Sequence, residues 1–457
     1  MTNVVALIPG LWAAIVAWRR SPARAYLDVY LPVLLLIPDY FRCILPVLPD
    51  PTPNAAAIVA IAAVCLLRGG ARWRFSLTDG LVIAYAAAMT FSEYLNKDGA
   101  EARNIGFEVF AAVVLPYLLT KILIEPQGLR VEFAKRMVVL VAIVVGLSLW
   151  EFRMGRPVFK FMLAPLFPGQ GSWPDTFRYG FTRVAGPYGH AILAGIIFAA
   201  VYRVAKWLEW TGHWPERVAW LPWKPTRARL LALALAAGSV MTLCRGPWIG
   251  AFAGMVVLLI GRARNRRRLF TAVLVLTFVV GLPGAIAFKS YVSVGRHGAL
   301  TPEQETAAYR AELVEKYTAI AMQHAWWGWG RAGWPKVPGM DSTDNSYLLL
   351  ALNHGLVTLG LFLAILASSA ARLAVFGARR PRDDPSGMLA FTLLGCYVGF
   401  FISLATVFHG EQTVQLFFIV AGWSEGLMSS RAAVTAPVAV RDAAPGAPLF
   451  QFSRVMT

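Results

Sequence analysis

Apolar runs close to the ~18 residues that cross a ~30 Å hydrocarbon core recur along almost the whole chain, separated by short polar segments. They predict membrane-spanning helices near 27–48, 55–67, 77–94, 106–124, 137–152, 187–203, 229–244, 247–261, 269–288, 344–368, 389–407 and 413–428. Period-2 alternation, the mark of a transmembrane barrel, is not evident. The expected fold is therefore all-α: a polytopic membrane domain over 1–430 with about twelve spans. An apolar piece at 4–18, interrupted by Pro9-Gly10, reads as an interfacial or half-length helix. It has no basic residues before it, so a cleavable signal peptide is not expected. Residues 431–457, rich in Ala, Val and Pro, read as a disordered cytoplasmic tail.

Composition sharpens this picture. Of 457 residues 57% are hydrophobic and 15% charged, against about a quarter charged in soluble domains. The formal charge of +18 would point to nucleic acid in a soluble protein. Here Lys and Arg concentrate in short loops, as in GRARNRRRL (261–269), 68–74, 203–229 and 378–384. Topology explains that pattern through the positive-inside bias, and no nucleic-acid partner is expected. The opposite side then carries 95–105, 153–186, 289–343 and 408–412, including two long loops of the kind that carry function. Cys43, Cys65, Cys244 and Cys396 show neither disulfide nor metal spacing and read as buried structural thiols. No Walker A loop or paired metal-ligand spacing appears, so neither metal nor cofactor is expected.

Chemistry concentrates on the long-loop side. Arg245 is the only charge in LALALAAGSVMTLCRGPWIGAFAGMVVLLI. Gly246-Pro247 after it predicts a tight turn that lifts the guanidinium to the surface. It reads either as a snorkelling interfacial arginine or as an anion clamp. Arg183 sits similarly before a span, and Arg310 lies on a predicted helix whose apolar positions Leu313, Tyr317, Ile320 and Ala321 should pack on the membrane domain. Guanidinium groups fork onto phosphate oxygens, so three together would suit a multivalent phosphate ligand. In DSTDNSYLLLALNHGLVT, Ser342, Thr343 and Asp344 are all good helix caps. Helical rotation of 100° per residue puts Asp344, Gly355 and Thr358 on one face. Asp344 is accordingly either a cap or a base. His354, alone in an apolar helix, reads as a packing residue. The tryptophans near 326–334 form either an interfacial belt or flat faces for sugar rings.

Taken together, Asp344-Asn345, nine residues, Gly355, two residues, Thr358 resembles the signature of the O-antigen ligase and polymerase superfamily. TLCRGPWIGAF, TRVAGPYGHAILAG and AMQHAWWGWG resemble three further segments of that family, so the resemblance covers about 180–370. One departure is the family's histidine, which is Asp344 here. The resemblance implies a GT-C-like glycosyltransferase in the bacterial inner membrane, with its active site facing the periplasm. Such an enzyme moves a glycan from an undecaprenyl diphosphate carrier to an acceptor hydroxyl, without metal and with inversion. It implies Asp344, Arg310, Arg245 and Arg183 as catalytic residues. Asn345, His324 and Trp329 would bind substrate, and Gly355, Thr358, Gly246 and Pro247 would shape the motif. The expected partners are the lipid-linked oligosaccharide, membrane lipid and other polysaccharide-export proteins. The departure at Asp344 favours polymerisation of exopolysaccharide or O-antigen repeats. Ligation to lipid A core, or a lipid-linked glycan flippase, are the alternatives.

Overall fold

The computed structural model describes residues 4–45, 49–69, 73–171, 173–219, 221, 223–340, 343–410 and 412–430. The expected tail, and Ser342, lie outside the described residues. The chain is mostly helical. The first half holds α1 (Ile8–Arg19), α2 (Pro22–Ala25), α3 (Leu31–Leu36), α4 (Pro53–Leu67), α5 (Leu77–Asn96), α6 (Gly99–Val109), α7 (Leu115–Leu123), α8 (Arg130–Met154) and α9 (Val158–Leu163). A small hairpin, β1 (Phe177–Arg178) and β2 (Phe181–Thr182), precedes α10 (Ala191–Trp210). There follow α11 (Arg227–Met241), α12 (Arg245–Arg262), α13 (Arg266–Val292), α14 (Pro302–Gln323), α15 (Ser346–Ala378), α16 (Pro385–Leu404) and α17 (Gln412–Ser429).

Helix starts follow local chemistry. Thr52, Asp98, Thr226, Thr301 and Asp384 each accept a backbone N–H from the first turn of the helix they open, satisfying donors that have no partner inside the helix. Ser76 and Asp79 form a reciprocal capping box at α5.

Among the described residues, six helical segments are long and apolar enough to cross a membrane: Gly99–Leu123, Arg130–Met154, Ala191–Trp210, Arg266–Val292, Ser346–Ala378 and Pro385–Leu404. The expected span 27–48 is helical only to Leu36. Ile37 turns extended (φ −103°, ψ 128°) because the residue before a proline, here Pro38, avoids the helical region. Nor does 203–229 begin as a loop. α10 runs on to Trp210, and Arg203 is buried with its guanidinium on the carbonyls of Ala199, Gly250 and Ala251. Gly254, Gly395 and Gly399 make room for it between α10, α12 and α16.

One continuous core joins α1 to α8, α10, α11 and α15 to α17. The predicted loop helix α14 does pack on the membrane domain. Its Leu313, Tyr317 and Ala321 are buried with Trp334, Leu348, Ala351 and Leu352, the last three from α15. By contrast α13 buries none of its residues. All four cysteines are buried.

Candidate functional site

The site starts at the link between α11 and α12. Gly246 and Pro247 do not form the turn. They are early residues of α12, where proline is tolerated because its missing N–H would lack a helical partner anyway. The turn is Thr242–Cys244, with Leu243 in the left-handed region (φ 51°). Gly246 serves packing instead. A Cβ there would collide with Thr406 Oγ1, so its absence lets α12 close on the end of α16.

The hairpin clasps this turn. Arg178 donates to the carbonyl of Leu243 at 2.6 Å, and Arg183 donates to the carbonyl of Thr242 and to Cys244 Sγ at 2.8 Å. At the hairpin tip, Tyr179 hydrogen-bonds Arg245, which also feels the charge of Glu303 in the first turn of α14. Arg245 is exposed. Arg183 and Arg245 are thus tied to one turn, with Arg178 as a third cation that sequence reading missed. Its only signal was the Tyr-Gly pair of FRYGFTR, a short hairpin cue.

Arg310 lies two turns along α14 from Glu303 and is exposed. It shares the helix that reaches Arg245, but no contact joins it to Arg183 or Arg245 among the described residues.

Glu151, buried on α8, accepts the backbone N–H groups of Ala185 and Gly186 at 2.7 and 3.0 Å. Gly186 takes φ 58° to present its amide. This pins the chain between Arg183 and His190. His190 caps α10, its Nδ1 accepting from Ile192 N at 3.2 Å. Burial first, and Arg183 second, hold its imidazole below the ordinary value, while the carboxylate of Asp344 pulls the other way. Asp344 therefore lies within electrostatic reach of His190 and Arg183's surroundings.

Asp344 is exposed and precedes α15. The cap is Asn345, whose side chain accepts from Tyr347 N and Leu348 N at 3.0 and 3.2 Å. Since Asp344 stands outside the helix, helical rotation does not fix its direction. The helix itself breaks at Gly355 (φ 78°, ψ 178°). There the segment after α14 enters: Leu356 N donates to Ala325 O, while Trp329 N and Gly330 N donate to the carbonyls of Leu352 and Asn353, at 2.7–2.9 Å. Backbone groups freed by the break are thereby re-satisfied, as a low-dielectric surrounding demands. A Cβ at Gly355 would collide with Trp326 O. Thr358 is buried and returns its hydroxyl to His354 O at 2.9 Å. The Gly355–Thr358 spacing thus encodes a docking break, closer than the helix–helix contact expected of Gly355.

His324 and Trp329 stack on each other with ring centroids 3.8 Å apart, and Trp329 Nε1 donates to Ile320 O. They fold the loop against α14. His354 is buried, with Nδ1 3.3 Å from Ser92 Oγ and 3.6 Å from Glu93 Oε1. Beside this cluster opens a cavity of about 550 Å³ between residues 39–42 and 49–55, α5, α6, Arg331, the first half of α15 and the start of α17. Sequence reading did not find it.

Residues 230–363 match the family model described as O-antigen ligase. That match supports the O-antigen ligase/polymerase-like superfamily and spans Arg245, Arg310, Asp344, Gly355 and Thr358; the Arg183 segment lies before it. It indicates membrane glycan transfer of the ligase or polymerase type, with lipid-linked oligosaccharide and lipid as substrates. With several apolar spanning helices, it also indicates a multi-pass membrane protein. Among curated proteins none matches the chain.

Proposed function

We propose that the protein is a polysaccharide polymerase of the bacterial inner membrane. It transfers a glycan from an undecaprenyl diphosphate carrier to a hydroxyl of a second glycan on the periplasmic side. The single observation that carries this reading is the α11–α12 turn. Arg178 and Arg183 bind its carbonyls and thiol, Arg245 leaves it exposed, and Asp344 acts on the adjoining His190.

The chemistry is one displacement. The acceptor oxygen bonds to the anomeric carbon from the face opposite the carrier, and the bond from that carbon to the diphosphate oxygen breaks with its electrons. Asp344 takes the hydroxyl proton, and the configuration inverts. Negative charge grows on the departing diphosphate, where fixed guanidinium groups stabilise it without reorganising. Arginines 183 and 245, joined by Arg310 on α14, would fill the role that a metal ion plays elsewhere. His190 Nδ1 already accepts a backbone N–H, so the neutral ring carries its proton on Nε2 and serves as a donor. The carrier's isoprenoid tail would lie along apolar α12 and α13. Ile249 and Phe252 are exposed on α12, and α13 buries none of its residues.

Ligation to lipid A core is the alternative, disfavoured by the carboxylate at position 344 in place of the family's histidine. A flippase would set its polar site near the midplane, whereas the arginine turn lies at helix ends.

A strain lacking the native gene, complemented with this chain, tests the reading. Loss of polymerase leaves single repeats and complementation restores a ladder. Carrier-bound long chains would indicate a ligase, and repeats trapped inside the cell a flippase.

A further inference from the structure

The 550 Å³ cavity is separate from the arginine turn but adjoins it. Tyr40 lines both this cavity and a small pocket walled by Lys160, Arg183 and His190. Ser346, on the cavity wall, follows Asp344 by two positions. Its volume falls in the roughly 300–1,000 Å³ range of small-molecule sites.

The charge on its wall is opposite to that of the turn. Asp39, Asp50, Glu101 and Glu108 face it against only Arg42 and Arg331. Carboxylates offset both: Arg331 pairs with Glu108 at 3.0 Å, and Arg42 acts on Asp39 through its charge. Carboxylates accept from hydroxyl groups, while the Asn353 amide can donate as well as accept. Buried Asp39 Oδ1 and His409 Nε2 have no hydrogen-bond partner among the described residues. Rings of Tyr85, Phe107 and Phe362 supply apolar surface. This is a lining for a polyhydroxylated, uncharged molecule.

We infer that this cavity binds the acceptor glycan and admits only saccharides without phosphate, excluding anions by like-charge repulsion. The inference rests on the glycan-transfer reading and narrows it: a phosphorylated lipid A core is a poor acceptor. Donor and acceptor then approach from opposite electrostatic environments, meeting near Tyr40 and Asp344.

The test uses the full chain in lipid nanodiscs and saturation-transfer NMR. The probes are maltotriose, cellotriose and mannotriose, together with mannotriose carrying a terminal phosphate. At least one uncharged trisaccharide is expected to bind, and the phosphorylated form at least tenfold more weakly. Asn104→Trp, which fills the cavity from α6, should weaken binding at least tenfold. The double variant Asp50→Lys, Glu101→Lys should reverse the preference toward phosphate. No binding by any uncharged probe, equal or better binding of the phosphorylated one, or indifference to Asn104→Trp overturns the inference. A parallel titration with farnesyl diphosphate reads the donor side. All three cavity substitutions should leave it unchanged, while Arg245→Ala should weaken it. Unaltered diphosphate binding by Arg245→Ala would defeat the transfer reading and leave the cavity result standing.

Discussion

Two charge clusters at opposite ends of the helical bundle are held in opposite ways. At the end marked by Glu425 of α17, ions are paired inside the protein. Lys121 and Asp79 meet at 2.7 Å with both side chains buried, Arg130 grips Glu125, and Arg372 grips Glu425 while reaching Thr78. At the end marked by Gln412, the guanidinium groups of Arg178 and Arg183 donate to carbonyls and a thiol, and Arg245 to a phenol. A buried ion pair cancels its own charge and fixes geometry. Arginines held by neutral groups keep theirs. The first cluster holds helices together; the second is the one proposed to receive an anion.

Substitutions can break this contrast, beginning with the largest effect. Arg245→Ala should lower polymer formation about 10²–10³-fold, the usual cost of losing one preorganised donor, with protein level and thermal unfolding unchanged. Long chains of normal yield would remove the clamp. At the opposite end, Lys121→Met leaves Asp79 buried without its cation and should cost about 3–5 kcal/mol of stability. Thermal unfolding in detergent reads it, and a change in activity without a change in stability would erase the distinction between the two ends. Gly355→Ala forces a side chain into positive φ against Trp326 O, and about 1–3 kcal/mol should be lost by the same assay.

Smaller effects sharpen the α15 start. Asn345→Ala removes the cap and should cost about 1 kcal/mol. Asp344→Asn should leave stability alone and reduce the transfer rate, and a fully active Asp344→Asn enzyme would take proton acceptance away from that residue. The slightest signal is pH-dependent. His190 is held below its ordinary value near 6.5 by burial and by Arg183. Protonation is therefore costlier in the folded state. Its contribution to stability is complete above about pH 6.5 and declines as pH falls through the lowered value. His190→Asn keeps a capping side chain without titrating, so stability measured from pH 7 to pH 5 should fall less steeply than in the parent.

Local rules made much of the fold legible. Long apolar runs had to be helices because a backbone in lipid must satisfy itself. The amphipathic pattern of Leu313, Tyr317 and Ala321 correctly placed α14 against the bundle. Failures came where distant segments decide. Nothing beside Gly355 announces that Ala325–Gly330 will bond to the broken helix. Arg178 gains its place through a hairpin of two-residue strands, too short for a periodic signal. The cavity draws its wall from six stretches spread along the chain, and no window along the sequence contains it. Pro38 was a local cue that the length of the apolar run outweighed.

The break at Gly355 also limits how the molecule can open. Swinging the Ala325–Gly330 segment aside would strip three backbone hydrogen bonds at once. That strip is a sewn seam, so the lipid-borne chain of the proposed reaction has to use another door. The flank beside α13, which buries no residue against its neighbours, is where a door costs least.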